Sequence, residues 1–311
     1  MIRCTIEVGI LFPPLFWSSK LANGVKVIDT LSLREVLTQR PLGLVFDIDG
    51  TLSPIVPIPD EAGLVPGVVP LLKEARNYAH VAIMTGREVE DGAAMINVDG
   101  LTYIGTHGLE WCDGLPALHS AQIVPEARAY IAPGRYLLNL AEKELSGLPG
   151  IIVERKRVGG SIHYRLSPHP QQARRKILAL LEEPARSVNM RLSEGKRIVE
   201  IRTPLAINKG EALRRFAHRL GLHGIIFAGD DRTDLDAVTE ILNLRKEGIA
   251  ALSVVVQHAD TLPALLEHGD IIVQEVDGMV RLLREIVQML REGRPQNYSQ
   301  SHPSAPKENA R

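Results

Sequence analysis

The sequence predicts an α/β protein: a parallel sheet with helices on both faces, interrupted by a smaller α/β insertion. Three observations predict it. Short apolar runs alternate with stretches of helical spacing in both the first and last thirds of the chain. Those runs are apolar at nearly every position, as strands buried on both faces are. The middle of the chain instead carries strands of alternating polar and apolar residues, two of them joined by a hairpin signal.

Taken in order, residues 1–40 read as an N-terminal extension. The apolar run at 8–17 is the nearest thing to a signal peptide, but Pro13 and Pro14 interrupt it and no small-residue cleavage site follows. Ser32-Leu33-Arg34-Glu35 has capping-box spacing and predicts a short helix before Pro41. Residues 43–46 predict the first buried strand. Val68, Val69, Leu72 and Ala75 give 66–78 helical spacing. Residues 80–84, 225–228 and 253–256 predict further buried strands, and 280–291 a closing amphipathic helix. Between these, 125–145 and 170–181 read as helices. Residues 151–156 and 161–166 read as a hairpin about Arg157-Val158-Gly159-Gly160. Residues 196–202 read as a third strand after a turn at Ser193-Glu194-Gly195.

Alternation puts Ile151, Val153, Ile162, Tyr164 and Leu166 on one face of the hairpin. Glu154, Lys156, Ser161, His163 and Arg165 take the other. In the third strand Glu200 and Arg202 share a side. The expected division is a Rossmann-like parallel-sheet core at 41–115 and 204–291 with an inserted α/β cap domain at 116–203. Residues 292–311, rich in Pro, Ser, Asn and Gln, read as a disordered tail.

Composition narrows the function classes. Thirty-six basic residues balance thirty-seven acidic ones, so no net field recruits nucleic acid or an anionic membrane. No apolar stretch approaches the ~18 residues that span a bilayer. The two cysteines, Cys4 and Cys112, cannot build a disulfide framework and have no partners at metal-ligand spacing. Their count fits a reducing compartment, and the chain is expected to be cytoplasmic.

The strongest chemical signal is Asp47-Ile48-Asp49-Gly50-Thr51, directly after the apolar Leu44-Val45-Phe46. A period of two predicts that both carboxylates leave the sheet together at its C-terminal edge, where open α/β sheets bind ligands. Thr85, Gly86 and Arg87 follow the second apolar run, bringing a hydroxyl and backbone N–H groups to that edge. Asn208-Lys209-Gly210 opens a helix whose N-terminus favours an anion. Asp230, Asp231 and Asp234 follow the run at 225–228 and suit a hard cation. Each piece alone has an ordinary reading: Thr85 as a helix cap, Lys209 as a surface charge, Asp230 as a turn residue. Their order and common edge favour a site for phosphoryl transfer, which needs positioning and charge neutralisation above all.

In this order the four pieces resemble the haloacid dehalogenase superfamily of phosphotransferases. The resemblance implies that Asp47 is the nucleophile and Asp49 the general acid and base. It implies that Thr85 and Lys209 hold the phosphoryl oxygens, with Gly86 and Arg87 beside them. Mg²⁺ would be bound by Asp47, the Asp49 backbone carbonyl and Asp230, with Asp231 and Asp234 supporting. Two carboxylates crowded at one strand end make the raised pKa of an acid catalyst plausible.

The insertion looks like that of the trehalose-6-phosphate phosphatase family. The similar stretches are Gly105-Thr106-His107-Gly108-Leu109-Glu110, Glu154-Arg155-Lys156 with His163-Tyr164-Arg165, the run from Gly195 to Arg202, and the run from Gly229 to Asp236. The resemblance implies Mg²⁺-dependent hydrolysis of trehalose 6-phosphate through an aspartyl-phosphate. His107, Glu110, Lys156, His163, Arg165 and Glu200 are then candidate sugar ligands. Two positions depart from the pattern: Thr106 stands where the family usually has Asn, and Arg155 where it usually has Asp. Arg155 is expected on the strand face opposite Lys156. The alternatives are a phosphatase of sucrose 6-phosphate or of a glycosyl-3-phosphoglycerate, and two non-catalytic readings. One of these is a sugar-phosphate-binding regulator. The other is a response-regulator-like phosphoacceptor, whose domains are about 120 residues long and lack a cap.

Overall fold

The computed structural model describes residues 20–22, 25–27, 30–56, 63–195 and 197–293. Cys4, the run at 8–17 and residues 294–311 of the expected tail lie outside them.

The chain enters through a short hairpin, β1 (Lys20–Ala22) and β2 (Val25–Val27), and helix α1 (Thr30–Thr38). Then follow β3 (Leu42–Phe46), α2 (Val68–Ala75), β4 (His80–Met84), α3 (Val89–Ile96) and β5 (Thr102–Gly105). Strands β6 (Glu110–Asp113) and β7 (Gln122–Ile123) lead to a second unit. That unit holds α4 (Ile131–Leu145), β8 (Ile152–Arg155), β9 (Gly160–His163), α5 (Pro170–Ser187), β10 (Arg191–Gly195) and β11 (Ile198–Arg202). The chain returns through α6 (Lys209–Arg219), β12 (Gly224–Gly229), α7 (Asp234–Lys246) and β13 (Ala250–Gln257). It closes with α8 (Pro263–His268), β14 (Ile271–Gln274) and α9 (Glu275–Glu292).

The larger sheet runs β1-β2-β14-β13-β12-β3-β4-β5-β6-β7. From β14 to β5 all neighbours are parallel, and antiparallel strands flank both ends. The unbroken apolar runs follow from burial on both faces. In β3, Leu44 and Phe46 pack into the layer holding α1, α2, α3 and α9, while Val45 packs into the layer holding α6 and α7. In β4, Val81 and Ile83 take the first layer and Ala82 and Met84 the second. Helix α1 lies within the stretch expected to be an extension, yet its Leu33, Val36 and Leu37 are buried in the first layer.

The second sheet is antiparallel, in the order β10-β11-β9-β8. Helices α4 and α5 cover one face, packing Leu137, Leu138, Ile177 and Leu181 onto Ile162, Val199 and Ile201. Arg155 points to this helix side, where it hydrogen-bonds Glu142 and Asn139 of α4. Two expectations are corrected here. Ser193-Glu194-Gly195 is the end of strand β10 rather than a turn, because Ser193 pairs across to Glu200 in the ladder. Strand β9 stops at His163 because the chain then turns, with the Ser167 N–H donating to the Tyr164 carbonyl, to enter α5 at Pro170. Leu166 is accordingly exposed instead of joining the apolar face.

The β8–β9 turn reaches the larger unit. Lys156 Nζ donates to the Gly86 carbonyl at 2.9 Å, the Arg157 N–H donates to Glu88, and the Arg157 guanidinium pairs with Glu90.

Candidate active site

The C-terminal edge of the parallel strands gathers the chemistry. β3 ends at Phe46, but the Asp47 N–H still donates to the Ala228 carbonyl at 2.9 Å, which fixes its backbone to β12. The Thr51, Leu52 and Ser53 N–H groups then all turn back on the Ile48 carbonyl, closing a tight loop. Gly50 in that loop has φ +83, and a Cβ there would lie 2.1 Å from Asp230 Oδ2. Only glycine meets both demands without strain.

Lys209 is the first residue of α6. The Asn208 side chain caps that helix by accepting from the Glu211 N–H at 2.9 Å. The Lys209 ammonium is fully buried between two carboxylates, 3.0 Å from Asp47 Oδ1 and 2.7 Å from Asp234 Oδ1. Asp234 Oδ2 accepts from the backbone N–H groups of Asp230 and Asp231, so both its oxygens are engaged. Asp230 Oδ1 accepts from the Thr51 hydroxyl at 3.2 Å.

Asp47, Asp230 and Asp234 each offer an oxygen within 4.8 Å of the others, and all three are buried. One ammonium against three carboxylates leaves two negative charges in a desolvated space. Burial accordingly pushes Asp47 up to about 8, with Lys209 pulling down and Asp234 and Asp49 adding to the rise. Burial, Asp47 and Asp234 push Asp230 up to about 9 against the pull of Lys209. For Lys209 burial opposes the charge, but Asp234 and Asp47 outweigh it and hold the ammonium above its ordinary range. An all-oxygen set two charges short of neutrality fits a hard divalent cation. Lys209 and backbone N–H groups engage both oxygens of Asp234, which leaves Asp47 and Asp230 as the less fully engaged carboxylates of the set.

Asp49 was expected to meet the cation through its backbone carbonyl, and its side chain faces Arg87. The strand itself ends at Phe46, so period-two alternation does not extend to Asp49. Asp49 is half-exposed and forms a two-pronged pair with Arg87, at 2.7 Å for each contact. Asp231 lends only its backbone N–H to Asp234, and its own side chain is exposed.

Thr85 is buried beside the cluster, its Oγ1 accepting from the Arg87 N–H at 3.2 Å. His107 presses against Gly86, where a Cβ would sit 2.7 Å from the ring. Thr106 and His107 both have positive φ, 47 and 55, an uncommon pair for residues with side chains. Burial, with Lys209, Lys156 and Arg202 beside it, pushes the His107 imidazole well below its usual value, so the ring is neutral.

A cavity of about 320 Å³ opens between the two units and is lined by His107, Lys156, Ser161, Arg191, Glu200 and Arg202, among others. Its size is at the lower end of small-molecule sites. Asp47 and Lys209 are not in its wall. His107 and Lys156, both against Gly86, are where the cavity and the carboxylate cluster meet. Glu200 sits centrally, accepting from Ser193 Oγ at 3.1 Å and 3.9 Å from both His107 Nε2 and Arg202 Nη1. The Ser161 hydroxyl and His107 Nδ1 are buried there with no hydrogen-bond partner.

Three expected sugar ligands do not line this cavity. Glu110 is wholly buried behind it, accepting from the Val89 N–H at the start of α3 and from the Thr106 hydroxyl. Burial pushes its carboxyl up, and those two hydrogen bonds pull back. Glu110→Ala is therefore expected to lower the melting temperature by leaving two buried donors unpaired, at about 1–3 kcal/mol each. A calorimetric scan checks this, and an unchanged melting temperature would contradict the buttress. His163 is paired with Glu154 at 2.7 Å. Arg165 lies beyond the end of β9 and is exposed. In their place stand Arg191, Arg202 and Ser161, of which only Arg202 and Ser161 fell on the expected polar faces. Sequence reasoning also missed His258, just after β13, whose Nε2 donates to the Gly50 carbonyl at 2.7 Å. No motif marks it.

Among the described residues no helix is long and apolar enough to cross a membrane. The sequence profile of the trehalose-phosphatase family matches residues 45–262, more than half of the chain. A trehalose-phosphate phosphatase of Mycobacterium leprae (strain TN) is 32% identical over 245 residues, 75% of this chain and 54% of that protein. This chain thus spans about half the length of the curated relatives it matches. Among solved structures, the C-terminal domain of C. albicans trehalose-6-phosphate phosphatase gives a TM-score of 0.69 at 19% identity, covering 84% of this chain and 97% of that one. A trehalose-6-phosphate phosphatase related protein gives 0.66 at 24% identity, covering 81% and 100%. At these identities the structural matches speak for the α/β fold alone. Profile and sequence identity go further: the chain belongs to the trehalose-phosphatase family.

Proposed function

We propose that the chain is a Mg²⁺-dependent phosphatase that hydrolyses trehalose 6-phosphate to trehalose and phosphate, with Asp47 as nucleophile and residues 116–203 as a cap. The observation that carries this reading is the buried Asp47–Lys209–Asp234 contact, with Asp230 beside it, next to a cavity of about 320 Å³ that mixes charged and apolar walls. Bound Mg²⁺ would be held by Asp47 and Asp230 and would supply the positive charge that lets a carboxylate meet a phosphate ester.

Lys209 keeps the attacking oxygen of Asp47 in place and neutralises the phosphoryl oxygens. Thr85 and the N–H groups after it hold those oxygens in line with Asp47. Attack forms an aspartyl-phosphate and releases the sugar alkoxide, which takes its proton from Asp49. Arg87 engages both oxygens of Asp49, so Asp49 must first lose Arg87 to reach the leaving oxygen. An incoming phosphate is the anion that draws Arg87 away, leaving Asp49 to take up a proton. Asp49, ionised again by the transfer, then activates water against the aspartyl-phosphate. Across the cavity Lys156, Glu200 and Arg202 offer the mixture of donors and acceptors that sugar hydroxyls need. The cytoplasm is the compartment this reading assumes, in keeping with the low cysteine count.

Purified chain is expected to turn over trehalose 6-phosphate with kcat/KM at least about tenfold above sucrose 6-phosphate or a glycosyl-3-phosphoglycerate, a margin that pocket contacts can supply. EDTA should stop the reaction and Mg²⁺ restore it. A different best sugar phosphate would overturn the substrate, metal-independent turnover the cation, and release of no more than one phosphate per chain the enzyme itself.

A further inference from the structure

We propose that His258 and Glu275 form a positioning pair that holds the Gly50 turn and the Asp230 carboxylate together at the cation site. The inference rests on the reading above that this site takes a divalent cation. His258 lies at the same sheet edge as Asp47 and Asp230. Its Nε2 donates to the Gly50 carbonyl at 2.7 Å and stands 3.8 Å from Asp230 Oδ2. On the other side of the ring, Nδ1 meets Glu275 Oε2 at 2.6 Å. The backbone is pinned as well, the His258 N–H donating to Thr261 Oγ1 at 2.7 Å. One imidazole thereby joins the loop after β3, the loop after β12 and the first residue of α9.

Two features indicate that the arrangement is built for a purpose. The Gly50 turn touches Asp230 so closely that a Cβ has no room, so a Gly50 backbone that drifts must displace the carboxylate. Thr51 holds Asp230 at Oδ1 and His258 stands by Oδ2, so the carboxylate is bounded on both sides. The second feature is Glu275, whose φ is +54. A residue with a Cβ pays for that conformation, and the strain sits at the position whose carboxylate meets His258 Nδ1. His258 and Glu275 hold the Gly50 carbonyl and stand behind Asp230, so they act through those groups as positioning residues. Groups that hold a metal ligand from behind set its orientation and hence the affinity of the site.

The test is Mg²⁺ binding by the metal-free full chain, followed by titration calorimetry. His258→Ala is expected to weaken binding about 10–100-fold while leaving the melting temperature of the metal-free protein near that of wild type. His258→Gln, which returns an amide N–H toward the Gly50 carbonyl, should recover part of the loss. Glu275→Ala should weaken binding in the same direction by less, and should add little to His258→Ala, since both leave the same turn unheld. Wild-type affinity in His258→Ala overturns the pair, and so does full additivity of the two substitutions. If His258→Ala fails to fold, Glu275→Ala decides alone: its side chain is 66% exposed, and wild-type affinity in that variant overturns the pair. A wild-type chain that binds no Mg²⁺ removes the cation reading and the pair with it, whereas wild-type binding with unaffected variants removes the pair only.

Discussion

Asp47→Asn is expected to abolish turnover, by ~10⁴-fold or more in kcat, and at the same time to raise the melting temperature of the metal-free protein at neutral pH. The amide keeps the shape of the carboxyl but has no anionic oxygen with which to attack phosphorus. The stability gain follows from burial. Asp47 in the folded chain titrates at about 8, well above the ordinary carboxyl range, because desolvation outweighs the attraction of Lys209. Between those two values the folded chain holds a proton that the unfolded chain releases, so stability falls as pH rises through that window. Asparagine removes this penalty. The gain should therefore be small at about pH 4 and grow toward about pH 8. Thermal scans of both proteins across that range, with phosphate release measured alongside, check both halves. Near-normal turnover would remove Asp47 from its role. A gain that shrinks as pH rises would contradict the burial argument.

How far the sequence could be read depended on whether a contact is local. β3, β4, β12 and β13 were legible because strands buried on both faces are apolar at nearly every position, and residues 80–84 match β4 to the residue. β10 was missed because Arg191–Gly195 is mostly polar and half of it faces the cavity or solvent. In the site, Lys209 was legible from the helix start at Asn208, and its burial against two carboxylates follows from that register. The Asp49–Arg87 pair was not legible, because alternation holds only inside a strand and Arg87 comes from another loop. Glu110 carried the right motif but the wrong inference. It heads β6, where a helix N-terminus closes over it, and nothing within the motif encodes that packing. His258 lies 208 residues from the carbonyl it holds, and no local spacing encodes a contact of that range.

Lys209→Met should have the largest effect on stability. Methionine matches the length of the lysine stem, so the change removes the charge with little loss of packing. It leaves Asp47 and Asp234 without the ammonium that now sits 3.0 and 2.7 Å from them, in a buried site. Removing one partner of a buried ion pair costs about 3–5 kcal/mol, chiefly because the remaining charge is stranded. Lys209 pulls the Asp47 titration down to about 8, so without it Asp47 holds its proton to higher pH. The deficit against wild type should therefore grow as pH rises through about 8 and shrink toward about pH 4. Adding Asp47→Asn should recover part of the loss, since the two side chains share one interaction and their effects are not additive. On the proposed reading, Mg²⁺ should also recover part of it by supplying positive charge beside Asp47. Denaturant unfolding of the single and double variants, with and without Mg²⁺, measures each of these terms. Equal destabilisation at both ends of the pH range would mean that lysine contributes packing rather than charge, and the electrostatic account of this site would fall.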